Sequence, residues 1–180
     1  DLSAVASVAS FFISRVDTEV DRRIATAAHG DEKVLALRGK AAVAQGLQAY
    51  RLFREKFSGS RWEALAAKGA RVQRPLWAST STKTPDYPDL LYVDTLIGPD
   101  TVNTMPDGTI AAFEDHGTVA RTVDTHLDEA DATMAGLAAA GVDMADVSAT
   151  LEDEGVASFA KSFDELMQIL TDKANRLASS

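Results

Sequence analysis

The sequence contains no cysteine. That removes disulfides, thiol nucleophiles and cysteine metal sites together, and it is compatible with a reducing cytoplasm, the location expected for this chain. No apolar run approaches the roughly 18 residues that read as a bilayer-spanning helix. The opening DLSAVASVASFFISR has a short apolar centre, but no basic segment precedes it and Arg15 follows, so it does not read as a signal peptide. Basic residues are scarce, 18 against 27 acidic ones, for a net charge of −9 and a pI of about 4.7. That balance argues against non-specific nucleic-acid binding, although a cleft can still present a local positive potential to a small anion. Histidine is scarce too. His29, His116 and His126 lie far apart, without HExxH or other ligand spacing, and no metal is expected. Asp115 and His116 are adjacent on an expected helix, where neighbours do not face each other, so His116 reads as a surface residue. GxGxxG, P-loop and GxSxG motifs are missing, and no cofactor is expected.

What is present is ordinary for a globular protein: 180 residues, 46% hydrophobic and 25% charged. That length suits one domain or part of a larger one. There is no initiator Met and an apolar stretch comes almost at once, which leads to the expectation that the chain begins inside a larger fold. Residues 5–14 (VASVASFFIS) suit a strand buried on both faces, as in a parallel sheet. Residues 16–28 then carry acids early and Arg22-Arg23 later, the polarity that a helix dipole favours. Helical spacing recurs over residues 32–57. A shorter helix is expected over residues 61–68, capped by Ser60 with Glu63 as its capping-box partner. Residues 89–97 are ambiguous between helix and strand. TVNTM (101–105), stopped by Pro106, reads as a strand, and residues 107–116 as a helix capped by Asp107 and ended by Gly117. The last third reads as three helices, 128–140, 143–154 and 156–177, separated by Gly141 and Gly155.

The chemistry concentrates in RPLWASTSTKTPD (residues 74–86). An apolar run, Pro75 to Ala78, turns abruptly into Ser79-Thr80-Ser81-Thr82-Lys83. A buried strand ending in hydroxyls and a lysine is how a β/α barrel delivers groups to the C-terminal face of its sheet; the plainer reading is a strand followed by a polar loop. Ser14-Arg15 ends the first strand in the same way. Hydroxyls plus Arg or Lys at neighbouring strand ends can bind a phosphate dianion, each charge-assisted bond contributing roughly 1.5–3 kcal/mol. The plainer reading of Arg15 is a partner for Asp17 or Glu19, and that of Lys83 is a mobile surface lysine. Lys83 lies beyond the strand end beside Thr82, Thr84 and Pro85, where it is expected to be exposed. It is therefore assigned to anion binding and not to a Schiff base, which needs a lysine whose pKa is lowered.

Three long stretches carry a resemblance: SVASFFISRVDTEVD (7–21), RPLWASTSTKTPDYPDLLYVDTLIGPDTVNTMP (74–106) and LEDEGVASF (151–159). They resemble the C-terminal half of transaldolases, most closely a bacterial branch, and LRGKAAVAQ (37–45) fits the same family. The resemblance implies an α/β fold, the C-terminal part of a (β/α)8 TIM barrel. Residues 1–125 would supply about strands six to eight, and residues 126–180 extra C-terminal helices. It implies transfer of a dihydroxyacetone unit from sedoheptulose 7-phosphate to glyceraldehyde 3-phosphate through a lysine Schiff base, in the pentose phosphate pathway. Ser14 and Ser79 match serines on the phosphate-binding side of the family's site, and Arg15 and Lys83 occupy regions where it places basic phosphate partners.

The chain departs from the family in what it omits. The family's nucleophilic lysine lies on the fourth strand in a Lys-apolar-Pro-Ala-Thr context, which none of Lys33, Lys40, Lys56, Lys68, Lys83, Lys161 and Lys173 has. The acid/base Asp and Glu belong to earlier strands. No catalytic residue is therefore expected in this chain, and the isolated chain is expected to be inactive. Its expected partners are a sugar phosphate and the N-terminal half of the barrel, with neither nucleic acid nor membrane. The alternatives are a non-catalytic fragment that binds sugar phosphates and a purely structural one.

Overall fold

The structure is a computed structural model that describes residues 2–178. Among them, three short strands and eight helices follow one another as β1 (Ser7–Phe12), α1 (Ser14–Ala27), α2 (Glu32–Leu35), α3 (Ala41–Lys56), α4 (Gly59–Ala66), β2 (Gln73–Ala78), α5 (Leu91–Asp94), β3 (Val102–Asn103), α6 (Asp107–His116), α7 (Leu127–Ala139) and α8 (Met144–Ala178). The strands form one parallel sheet in the order β1-β2-β3. Parallel neighbours need a crossover connection, supplied here by α1–α4 between β1 and β2 and by α5 with its flanking loops between β2 and β3. The chain divides into two compact units, Asp1–Asp143 and Met144–Ser180.

In the first unit the sheet packs through Trp77. Its indole is 1% exposed, meets Phe11 edge to face at 6.1 Å and donates from Nε1 to the Leu96 carbonyl at 2.9 Å. Ile13, Val20, Ile24, Leu47, Tyr50 and Leu96 complete the layer between sheet and helices. The register Phe11↔Trp77 and Phe12↔Ala78 brings the C-terminal ends of β1 and β2 level. That alignment positions the site.

Several elements differ from the sequence expectations, each for a physical reason. β1 is not buried on both faces: Val8 is 46% and Phe12 40% exposed, and these two residues share one face of the strand, which no described element covers. The expected helix over residues 32–57 is two helices, broken where Gly39 takes φ +69°, a left-handed conformation that glycine adopts without strain. α4 starts at Gly59 after Ser58, so Ser60 lies inside the helix and does not cap it. Pro106, not Asp107, precedes α6, and the missing proline N–H suits the helix start. Gly155 does not separate two helices. α8 runs through it for 35 residues, because one interior glycine costs only about 1 kcal/mol. His116 is on the surface as expected, yet its ring does reach its neighbour: Nδ1 lies 3.1 Å from Asp115 and Nε2 3.2 Å from Asp89. A side chain at the last turn can bend across the helix end.

Candidate functional site

The site grows from the way β1 and β2 end. The parallel ladder continues past both strands, with Ile13 N–H donating to the Ala78 carbonyl at 2.9 Å and Ser14 N–H to the Ser79 carbonyl at 3.0 Å. The two serine hydroxyls are hydrogen-bonded to each other, Oγ to Oγ at 2.9 Å. Ser79 sits in the left-handed region at φ +58°, which costs a residue with a Cβ about 1–2 kcal/mol. Strain of this kind persists where surrounding bonds fix the backbone, and it is concentrated at functional sites. Here the fixing bonds are the ladder bond and the hydroxyl pair. Next to it, the fully buried Thr80 donates to Asn103 Oδ1 at 2.7 Å, tying the end of β2 to the end of β3. Three successive parallel strands therefore end in cross-linked hydroxyl and amide groups.

The two basic residues expected beside the serines are less converged. Arg15 is half-buried and its guanidinium stacks over the Phe12 ring at 4.3 Å, a cation–π contact where the plainer reading had a pairing with Asp17 or Glu19. Those acids are otherwise engaged: Glu19 is clasped by Arg22 and Arg23, which hold its carboxyl down at about 2. Lys83 is exposed, as expected, and its ammonium donates to Ser81 Oγ at 2.9 Å. The structure thus joins Ser14 to Ser79 directly and puts Arg15 and Lys83 on the segments that follow each serine.

Behind the serines lies a buried polar network that the sequence reading did not find. Asp17, one turn after Ser14 in α1, is 2% exposed. It accepts from the Ala42 N–H at 2.8 Å and from the Tyr92 hydroxyl at 2.7 Å. Burial pushes its carboxyl up to about 6 in spite of these bonds. Asp21, one turn further, accepts from the Gly39 N–H at 3.0 Å and from the Tyr87 hydroxyl. Burial raises both tyrosines, so each remains a protonated donor. The signal in the sequence was the Asp-x-x-x-Asp spacing of residues 17–21, which puts both acids on one helix face. Among the described residues no cluster of His, Asp and Glu could hold a metal ion, and no helix is long and apolar enough to cross a membrane.

The sequence profile of the transaldolase/fructose-6-phosphate aldolase family matches residues 2–170. The chain belongs to that family. It is 53% identical over 180 residues to a transaldolase of Parafrankia sp. (strain EAN1pec), covering 99% of this chain and 48% of the relative. It is 55% identical over 168 residues to a transaldolase of Thermobifida fusca (strain YX), covering 93% and 45%. A transaldolase of Mycolicibacterium paratuberculosis (strain ATCC BAA-968 / K-10) is 54% identical over 170 residues, again covering 93% and 45%. The chain spans about half the length of these curated relatives.

Proposed function

We propose that this chain is the phosphate-binding, C-terminal portion of a transaldolase. It would supply about strands six to eight of a (β/α)8 barrel from residues 1–125 and the C-terminal helices from residues 126–180. The complete transferase would move a dihydroxyacetone unit from sedoheptulose 7-phosphate to glyceraldehyde 3-phosphate in the cytoplasmic pentose phosphate pathway. The observation that carries this reading is the pairing of Ser14 and Ser79 at the level C-terminal ends of adjacent parallel strands. Barrel enzymes place phosphate sites on that face, after the late strands. Each hydroxyl can turn from its partner to a phosphate oxygen, while Arg15 and Lys83 supply charge that the hydroxyls lack.

The chain supplies no bond-making residue in this reading. All seven lysines are exposed, whereas a Schiff-base lysine is activated by desolvation or a neighbouring cation. The covalent step falls to a lysine on an N-terminal half. The sheet supports the need for that half: β1 is an uncharged six-residue strand, SVASFF, with one edge free of strand partners among the described residues, and such edges in native proteins are normally paired or covered.

The test is to combine the chain with the N-terminal half of a family-length transaldolase and assay transfer. Activity is expected only in the mixture. Within it, Ser79→Ala should raise KM for the phosphorylated substrates about tenfold, the cost of one hydrogen bond to a charged group. An assembled barrel without transfer activity would sink the reading. The exposure of every lysine favours one second reading, a non-catalytic fragment that only binds sugar phosphates or serves a structural role. Saturable calorimetric binding of a sugar phosphate to an assembly without transfer activity would support the binding form. Association without such binding would support the structural one.

A further inference from the structure

The loop from Ser79 to Tyr87 carries Lys83, and the structure fixes it at both ends to a single helix. At its start, Ser79 is bonded through backbone and hydroxyl to Ser14, the first residue of α1. At its end, the Tyr87 hydroxyl donates to Asp21, two turns along the same helix. Past Thr80, which donates to Asn103, the bonds are local: Tyr87 N–H to the Thr84 carbonyl at 3.1 Å and Lys83 to Ser81. The far attachment is a built seat. Asp21 also receives the Gly39 N–H, which holds the α2–α3 turn against α1. Gly39 lies beneath the tyrosine ring so closely that a Cβ there would stand 2.7 Å from Tyr87 Cζ. A side chain at residue 39 is thus excluded twice, by the left-handed backbone and by the ring.

We infer that Tyr87, Asp21 and Gly39 are positioning residues for the anion site: they hold the Lys83 loop so that its ammonium is presented beside the Ser14–Ser79 pair. The inference rests on the phosphate-binding reading above. None of the three touches the anion. Without the far attachment, the loop is held only by its first residues, Ser79 and Thr80, and by the buried Leu90 beyond it, and ordering Lys83 over the anion must be repeated at each binding event.

The test is titration calorimetry with inorganic phosphate at low ionic strength, on the chain alone and on its assembly with the N-terminal half. Tyr87→Phe keeps the ring and removes the bond; Gly39→Ala keeps the hydroxyl and displaces the ring. Each should weaken phosphate binding roughly five- to tenfold, on the scale of one ordinary hydrogen bond. A merely structural role is separated by a double-mutant cycle. In a Lys83→Ala background, Tyr87→Phe should have no further effect on phosphate affinity, because the lysine it positions is gone. Phosphate binding that Ser79→Ala weakens, with Tyr87→Phe either silent or fully additive to Lys83→Ala, overturns the inference and leaves the site standing. Absence of saturable phosphate binding from both chain and assembly overturns the underlying reading as well.

Discussion

Helices α1 and α8 reverse the usual division between polar surface and apolar core, in opposite senses. α1 buries three acids, Asp17, Glu19 and Asp21. α8 leaves Phe159, Phe163, Leu166, Ile169 and Leu170 all more than half exposed. In α1 the reversal is matched bond for bond: the two lower acids take two backbone N–H groups and two tyrosine hydroxyls, and Glu19 takes two guanidinium groups. Among the described residues no buried side-chain nitrogen or oxygen lacks a partner. Burying a charge is costly unless it is satisfied in this way, so α1 gains definition from its acids and not simple stability. α8 has no such network. Its apolar face recurs along a helix that is exposed at every residue from 156 to 178.

The comparison breaks most sharply at Asp17. Asp17→Ala strands the Ala42 N–H and the Tyr92 hydroxyl in a dry site, at about 1–3 kcal/mol for each unpaired group. A total loss of about 2–5 kcal/mol is expected in urea unfolding. Tyr92→Phe, which leaves the carboxylate one partner, should cost less.

A somewhat smaller effect follows from the raised carboxyl of Asp17. Its folded value is about 6 against 3.8 for the free group, so between those limits the folded state binds more protons than the unfolded one. Stability from this group is therefore fully present below about pH 4, falls as pH rises and is lost above about pH 6, by up to about 3 kcal/mol. Glu19, held near 2, acts in the opposite sense: its contribution is present above about 4.5 and lost as pH falls towards 2. Asp17→Asn should remove the falling limb between pH 4 and 6 and leave the acid limb in place. An unchanged slope between pH 4 and 6 in the variant would show that the group does not titrate in the folded state as described.

Much of this was legible from residues that act locally. The strand-to-hydroxyl transition at Ala78-Ser79 and the β-inclined TVNTM run located β2 and β3, and the serine pair met because parallel register aligned the two strand ends. The plainer pairing of Arg15 with Asp17 or Glu19 does not form, and its guanidinium lies over the Phe12 ring. Arg22 and Arg23 outcompete it for Glu19, at spacings of three and four residues. Tyr87 and Tyr92 stayed hidden for a different reason. Their partners lie 66 and 75 residues away, and no local pattern announces such a bond. Gly155 reads in sequence as a stop inside what is one helix, α8 (Met144–Ala178), because the helix formers on both sides outweigh one glycine.

The smallest expected effect is at α8, and it sharpens the comparison from the other side. Phe163 is 62% exposed, so truncating it removes little buried area. Phe163→Ser should change the unfolding free energy of the chain by less than about 0.5 kcal/mol, as for surface substitutions generally. The helix-propensity difference between serine and phenylalanine is negligible on that scale. The same truncation at a covered phenylalanine such as Phe53, 8% exposed, should cost about 3 kcal/mol or more. A loss at Phe163 approaching that of Phe53 would mean that the apolar face of α8 is covered in solution. The contrast with α1 would then be between two kinds of buried helix, not between a buried one and an open one.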